Sequence, residues 1–464
     1  MSDIIIRNAR IVDHRGVYRA GIVIKDGKVE RIGSEESLPS GDRTIDARDN
    51  FVLPGIVDPH LHLGSGMEIE KEILTETRAA ATGGVTTIIT LLRERYRESG
   101  ETLLGPYLAK RERLEQIVRA NVSVDVTFNV GIENRQHVQE IPRYAEEMGL
   151  TSFKFTKGYR PHFADDGMIY LGMNIIRDLG APCVAMVHCE NLDIVEILRA
   201  KMIEDGRTDL PAYTEAAPGF CEAEVMSRML YLAKVTGCPL YIPHTTIAEG
   251  LELAAEYKAK GLAVTVETCP HYLTFTKDSP LGPLAMVNPP LREKRDQAAL
   301  WWGLRNGVVD CVGSDHVTNL RRQKPAMFRY ESPGFPGVAT TLPVLLSEGV
   351  NKSRLSLERL VEVCCLNPAK AFGLYPRKGV LQIGSDADLV IVDLHRKMKI
   401  TPEILHSASD YTLYDGWELE GWPLMTLVRG NVVTEDGEIV GKPGLGRFIS
   451  RELERKEPHL SLDK

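Results

Sequence analysis

Eight short apolar runs, at residues 56–62, 85–92, 122–130, 151–157, 182–188, 239–243, 262–268 and 308–313, alternate with stretches whose apolar residues recur at helical spacing. The helical stretches fall near 68–82, 106–119, 135–148, 166–179, 192–205, 222–236, 248–260 and 293–306. Strand-then-helix alternation returns the chain over one face before each new strand, so successive strands run parallel. Eight such units predict an α/β protein with a (β/α)8 TIM-like barrel, whose catalytic face lies at the C-terminal ends of the strands.

The two ends of the chain follow a different pattern. Residues 3–12 and 21–32 read as strands, the latter pair joined by the turn dipeptide Asp26-Gly27. Residues 388–394, 424–434 and 438–440 look alike, with Asp436-Gly437 as a turn. Neither end has enough strands for a stable sheet by itself, so the two are expected to pair into one small β-sandwich domain. The division that follows is 1–53 for the N-terminal part of the sandwich, 54–376 for the barrel, 377–446 for the C-terminal part, and 447–464 for a charged tail. The tail reads as a subunit arm or as disordered.

Five of the apolar runs end on residues that bind metals. Pro54-Gly55-Ile56-Val57-Asp58-Pro59-His60-Leu61-His62 is the first, and residues i and i+2 of a strand share a face, so His60 and His62 can hold one ion together. Lys154 in Ser152-Phe153-Lys154, His188, His244 and Asp315 in Gly313-Ser314-Asp315-His316 follow. A lone histidine after an apolar run is more often a capping or core residue than a ligand. The argument rests on their conjunction, in order, at the strand ends that a barrel turns to its catalytic face. Of the remaining histidines, His14, His137, His162, His395, His406 and His459 stand in polar surroundings and read as surface.

Composition narrows the partners. With 464 residues, 43% hydrophobic and 26% charged, the chain has ample core for a globular protein. A net charge of −8 with scattered Lys and Arg implies no nucleic-acid surface. No apolar run approaches a membrane span and the N-terminus lacks a signal-peptide pattern, so a cytoplasmic protein is expected. The eight cysteines lack paired spacing and read as buried reduced thiols.

The motifs PGIVDPHLH, Phe153-Lys154, HCEN from His188, the Pro-His at His244, ETCPHYL at 267–273, NPPLR at 288–292 and GSDH at 313–316 resemble the cyclic amidohydrolases, within them the hydantoinase and dihydropyrimidinase branch. The resemblance runs over nearly the whole chain, including DYTLYDGWELEGWP at 410–423. It implies two divalent ions, of zinc type. His60, His62 and Asp315 would hold one and His188 and His244 the other, with Lys154 bridging them as N6-carboxylysine. An ammonium cannot ligate a cation, but a lysine desolvated beside two dications favours its neutral amine, which takes up carbon dioxide. The implied activity is opening of the amide bond of a cyclic ureide, a hydantoin or dihydropyrimidine. A metal-bridging hydroxide would attack and Asp315 would act as acid/base. Tyr159 falls where the family carries an oxyanion-stabilising tyrosine, and Asn288 and Gly334 where backbone groups pair with the substrate ring. A homo-oligomer, tetramer or dimer, is implied as well.

Departures from the pattern bear on the substrate. Gly64 stands where dihydroorotases carry an arginine, and allantoinases generally lack the tyrosine matched by Tyr159. The family often has Glu and Arg near Ala339 and Thr341, and this chain does not. Arg93, Arg95 and Arg97 read as a solvated loop, with substrate contact as the other possibility. The alternatives are an allantoinase or dihydroorotase-like hydrolase, a mononuclear deaminase, for which a bridging lysine would be pointless, and a non-catalytic scaffold, against which the intact ligand set argues.

Overall fold

The computed structural model describes residues 2–65, 68–92, 111–156, 164–324, 326–328 and 333–454. Their strands, numbered in chain order, fall into two sheets. The chain starts with β1 (Ser2–Asp13), β2 (Gly16–Lys25), β3 (Lys28–Gly33), β4 (Gly41–Asp46) and β5 (Phe51–Pro54). The barrel follows as β6 (Ile56–Leu61), β7 (Val85–Leu92), β8 (Asp125–Gly131), β9 (Ser152–Thr156), β10 (Val184–His188), β11 (Leu240–Ile242), β12 (Val264–Thr268) and β13 (Cys311–Val312). The chain returns through β14 (Leu389–Lys399), β15 (Glu418–Val428), β16 (Asn431–Glu435) and β17 (Glu438–Ile439).

β6 to β13 pair side by side in sequence order, and every pair is parallel. The ends of the row meet where His62 N donates to His316 O at 2.9 Å and Asp315 N to His60 O at 2.9 Å. This is the expected barrel. Its strands are buried on both faces, which is why they read as continuous apolar runs: every residue of Val85–Leu92 is buried. Three of the helices between them start on side-chain caps. Asn134, Asp165 and Asn191 accept from the backbone N–H groups of His137, Met168 and Ile194. All eight cysteines are buried free thiols. No helix of the described residues is long and apolar enough to cross a membrane.

The second sheet unites the two chain ends, in the order β17-β16-β15-β14-β5-β1-β2-β3, with β4 added to β1. β5 is the seam, parallel to β1 and antiparallel to β14. One cluster of side chains, including Ile6, Ile11, Ile22, Val52, Leu389 and Leu427, fills one face of this sheet.

Two differences from expectation stand out. The run 424–434 is not one strand but a hairpin, turned at Arg429 and Gly430 with φ of 45° and 73°. Arg-Gly is a poor turn signal beside Asn-Gly. Tertiary contact supplies what is missing, because Arg429 N donates to Asp388 Oδ1 at 2.7 Å. The tail after Gly446 is also no free arm over its described length. Residues 447–451 lie across the N-terminal ends of the barrel strands. Arg447 N donates to Asp125 Oδ1 at 2.8 Å, Ile449 N to Val126 O at 2.8 Å and Arg451 N to Gly149 O at 2.9 Å. The Arg451 guanidinium is buried between Ser152 Oγ and Phe128 O, and burial lowers its pKa to about 9. A charged stretch was legible in sequence; the pocket under the barrel that takes it was not.

Candidate active site

The first, fourth, fifth, sixth and eighth barrel strands deliver their polar ends to one place. His60 lies in β6 and His62 just beyond it; Lys154 lies in β9; His188 ends β10; His244 and Asp315 follow β11 and β13 by a few residues. His60, Lys154, His188, His244 and Asp315 are buried, and His62 nearly so. His244 and Asp315 hold left-handed backbone angles, φ of 39° and 48°. Non-glycine residues adopt that region at an energetic cost, which concentrates at functional sites.

Two groups of donor atoms converge. His62 Nε2 lies 2.9 Å from Asp315 Oδ1, and His60 Nε2 lies 3.4 Å from the same oxygen. One ligating atom from each of these three residues falls within 4.8 Å of the others, the spacing a single ion requires. Beside them His188 Nδ1 faces His244 Nε2 at 2.8 Å. Lys154 Nζ reaches His60 Nε2 at 2.6 Å, and the His60 and His244 rings are 5.3 Å apart, so the groups adjoin. Burial, then the neighbouring His188, His60, Lys154 and His62, holds the His244 pKa well below the ordinary imidazole range. Its lone pair is therefore available. Convergent imidazole nitrogens with one carboxylate form a donor set that fits divalent ions of zinc type.

The remaining predicted residues are placed less completely. Asn288 Oδ1 accepts from Tyr213 OH at 2.6 Å and from Arg199 Nη2 at 3.5 Å. Gly334 N donates to Met286 O at 2.9 Å and its carbonyl accepts from Asn319 Nδ2 at 2.9 Å, so the Gly334 N–H is engaged within the protein. Tyr159, Arg93, Arg95 and Arg97 lie outside the described residues.

Three buried carboxyl groups behind the site escaped sequence reasoning. Glu267 Oε1 accepts from His60 Nδ1 at 2.9 Å and from His244 N at 3.1 Å. Asp58 Oδ1 accepts from His60 N at 3.2 Å and Ser314 N at 3.1 Å, pinning the first and last strands together; burial raises its pKa to about 6. Glu76 Oε2 lies 3.1 Å from His316 Nε2. An acid inside an apolar run, as at Asp58 and Glu267, is the signal that was available. Ligating histidines in metal sites are usually oriented by such partners.

A parallel barrel bringing histidines, a lysine and an aspartate together at its strand ends defines an enzyme of the amidohydrolase class. The sequence matches the Amidohydrolase family over residues 51–433, and residues 1–46 match the Urease alpha-subunit, N-terminal domain. The L-hydantoinase of Paenarthrobacter aurescens is 36% identical over 463 residues, covering 97% of this chain and 98% of the relative. The D-hydantoinase of Geobacillus stearothermophilus is 36% identical over 462 residues, 96% of each chain. The solved L-hydantoinase (dihydropyrimidinase) of Arthrobacter aurescens superposes with a TM-score of 0.89 at 36% identity, over 97% of this chain and 100% of that one. The chain belongs to the amidohydrolase family, as a hydrolase of cyclic amides of the hydantoinase and dihydropyrimidinase type.

Proposed function

We propose that the protein opens the ring amide of a neutral cyclic ureide, a 5-substituted hydantoin or a dihydropyrimidine, at a dinuclear centre of zinc-type ions. The observation that carries this reading is the pair of adjoining donor groups, His60, His62 and Asp315 on one side and His188 and His244 on the other. Lys154, as N6-carboxylysine, would bridge them; its amine lies against His60 Nε2. Bound ions would supply an acidified water and a polarised carbonyl. Asp315 holds and moves the proton, accepting it from the attacking water on the carboxylate oxygen not turned to the histidines and delivering it to the leaving ring nitrogen. Tyr159 stabilises the developing oxyanion, in line with its position in the family pattern. Asn288 and the Gly334 carbonyl orient the ring.

Substrate charge is argued from Gly64. The residue has φ of 76°, and its N–H donates to the buried Glu72 Oε2 at 2.7 Å. Where a dihydroorotase has a guanidinium, this chain has no side chain, and a substrate carboxylate would lack a charged partner there. The ring substituent's handedness is left to experiment, since relatives named for L- and D-hydantoin hydrolysis are equally similar at 36% identity. We further place the enzyme in the cytoplasm as a homo-oligomer, tetramer or dimer, on the family resemblance; light scattering that finds a monomer at micromolar concentration refutes the assembly.

Elemental analysis with kcat/KM for a 5-substituted hydantoin, dihydrouracil, allantoin and dihydroorotate tests the proposal. Two zinc-type ions per chain and preference for hydantoin or dihydrouracil are expected. One ion at full activity refutes the dinuclear centre, and dihydroorotate as best substrate refutes the assigned substrate class.

A further inference from the structure

The seventh barrel strand contributes none of the proposed ligands, yet it carries a fully buried acid beneath them. Glu267 lies in β12, and its side chain is held by residues in or just after strands that bear the site. Oε1 accepts from the ring Nδ1 of His60 at 2.9 Å and from the backbone N–H of His244 at 3.1 Å. Oε2 accepts from Tyr241 OH, on β11, at 2.6 Å. Room for this carboxyl group depends on a residue without a side chain in the eighth strand's exit. A Cβ at Gly313 would stand 2.8 Å from Glu267 Cδ and 3.0 Å or less from both oxygens.

These contacts have a chemical consequence. A bond donated from Nδ1 to the carboxylate keeps the His60 proton on Nδ1 and its lone pair on Nε2. Nε2 is the atom turned toward Lys154 and Asp315. The same oxygen holds the backbone of His244 in its left-handed conformation, which aims the ring at His188. Tyr241 fixes the other oxygen, so the carboxylate has little freedom to serve one histidine without the other.

We propose that Glu267 is a positioning residue shared by both halves of the metal centre, orienting His60 for one ion and His244 for the other, so that its loss weakens the two sites together. The inference rests on the dinuclear reading above. An acid that merely filled the barrel interior would contribute to stability without setting metal affinity at either site.

The test uses the full-length enzyme and its Glu267→Gln variant, with zinc as the probe. Glutamine keeps the shape and one acceptor oxygen but turns the other into an NH2 donor that cannot accept. Zinc affinity is measured by chelator competition, and thermal unfolding is followed on zinc-free protein. The variant is expected to bind zinc about 10- to 100-fold more weakly at both sites, the usual effect of removing a partner of a ligating histidine. Its zinc-free unfolding temperature is expected to stay near that of the wild type. Wild-type affinity at both sites, or weakening at only one, overturns the proposal. If Glu267→Gln does not fold, Tyr241→Phe, which keeps the charge and frees Oε2, is measured in the same way; several-fold weaker zinc binding is expected, and unchanged binding overturns it. If the wild type itself holds fewer than two zinc ions, the dinuclear reading fails, which is a separate result from a variant that holds two ions as tightly as the wild type.

Discussion

Among the described residues, two groups each gather three potential metal ligands within 4.8 Å of one another. One is the site at the barrel mouth, with His60, His62 and Asp315. The other is Asp125, Asp386 and Asp388, at the junction between the barrel and the terminal sheet. The junction contains its own cation: Lys378 Nζ lies 2.5 Å from Asp125, 2.5 Å from Asp388 and 2.9 Å from Asp386. Arg429 adds a second, on Asp125, and Lys28 and Arg377 reach Asp386 from the rim. Burial opposes the Lys378 charge, but the three carboxylates outweigh it and raise its pKa. The mouth instead gathers imidazoles, and its amine, Lys154, lies against a histidine nitrogen. Similar ligand geometry thus serves opposite ends. A cluster with a covalently attached counter-ion holds two parts of the fold together, whereas one that lacks it can take its cation from solution.

Breaking the mouth should abolish chemistry and spare the fold. Asp315→Asn is expected to lower turnover about 10²- to 10⁴-fold, the range for loss of a general acid–base group, with zinc still bound weakly. Steady-state kinetics and metal analysis check this, and near-normal turnover removes Asp315 from the proton path. Lys154→Ala should fall at least as far and regain part of its activity with short carboxylic acids, which replace a carboxylate on a stem.

Breaking the junction should do the reverse. Lys378→Met strands three buried carboxylates and is expected to destabilise the protein by about 3–5 kcal/mol, measured by denaturant unfolding. Turnover per folded molecule should be unchanged; a loss of turnover as large as that of Asp315→Asn would dissolve the contrast between the clusters.

Acid should sharpen the difference. Burial works to raise the Asp386 pKa, but Lys378 and Lys28 prevail and hold it below the ordinary carboxylate value of 3.8. A depressed acid contributes stability above its unfolded pKa and loses it as pH falls through the folded one. The stability gap between wild type and Asp386→Asn should therefore hold above about pH 4 and close below it. A gap that persists undiminished at about pH 2 contradicts the assignment. The smallest effect is expected at the rim, where the Lys28 side chain is 46% exposed. Lys28→Ala should change stability by about 0–1 kcal/mol.

The barrel was legible because parallel strands are buried on both faces and leave unbroken apolar runs. The β9 run, 151–157, is observed as Ser152–Thr156, and 85–92 as Val85–Leu92. The eighth run was read too long, at 308–313 against Cys311–Val312. Val308 and Val309 are buried, but their N–H groups close the preceding helix on Gly303 O, so burial there comes without a strand. The short helix Leu210–Glu215 gave no period to read. It carries Tyr213, which holds Asn288.

The sequence by itself determined the alternation that makes the barrel, the pairing of chain ends into one sheet, and the residue types gathered at the barrel mouth, since each depends on local periodicity or on a residue placed at a strand end. Tertiary structure alone decided the hairpin at Arg429, the seating of Arg447 to Arg451 beneath the barrel, and the roles of Glu267 and Lys378. Glu267 and Lys378 are a single acid and a single base whose meaning lies in what they touch, and those partners stand 23 to 207 residues from Glu267 and 8 to 253 residues from Lys378 along the chain. No local pattern encodes such a distance.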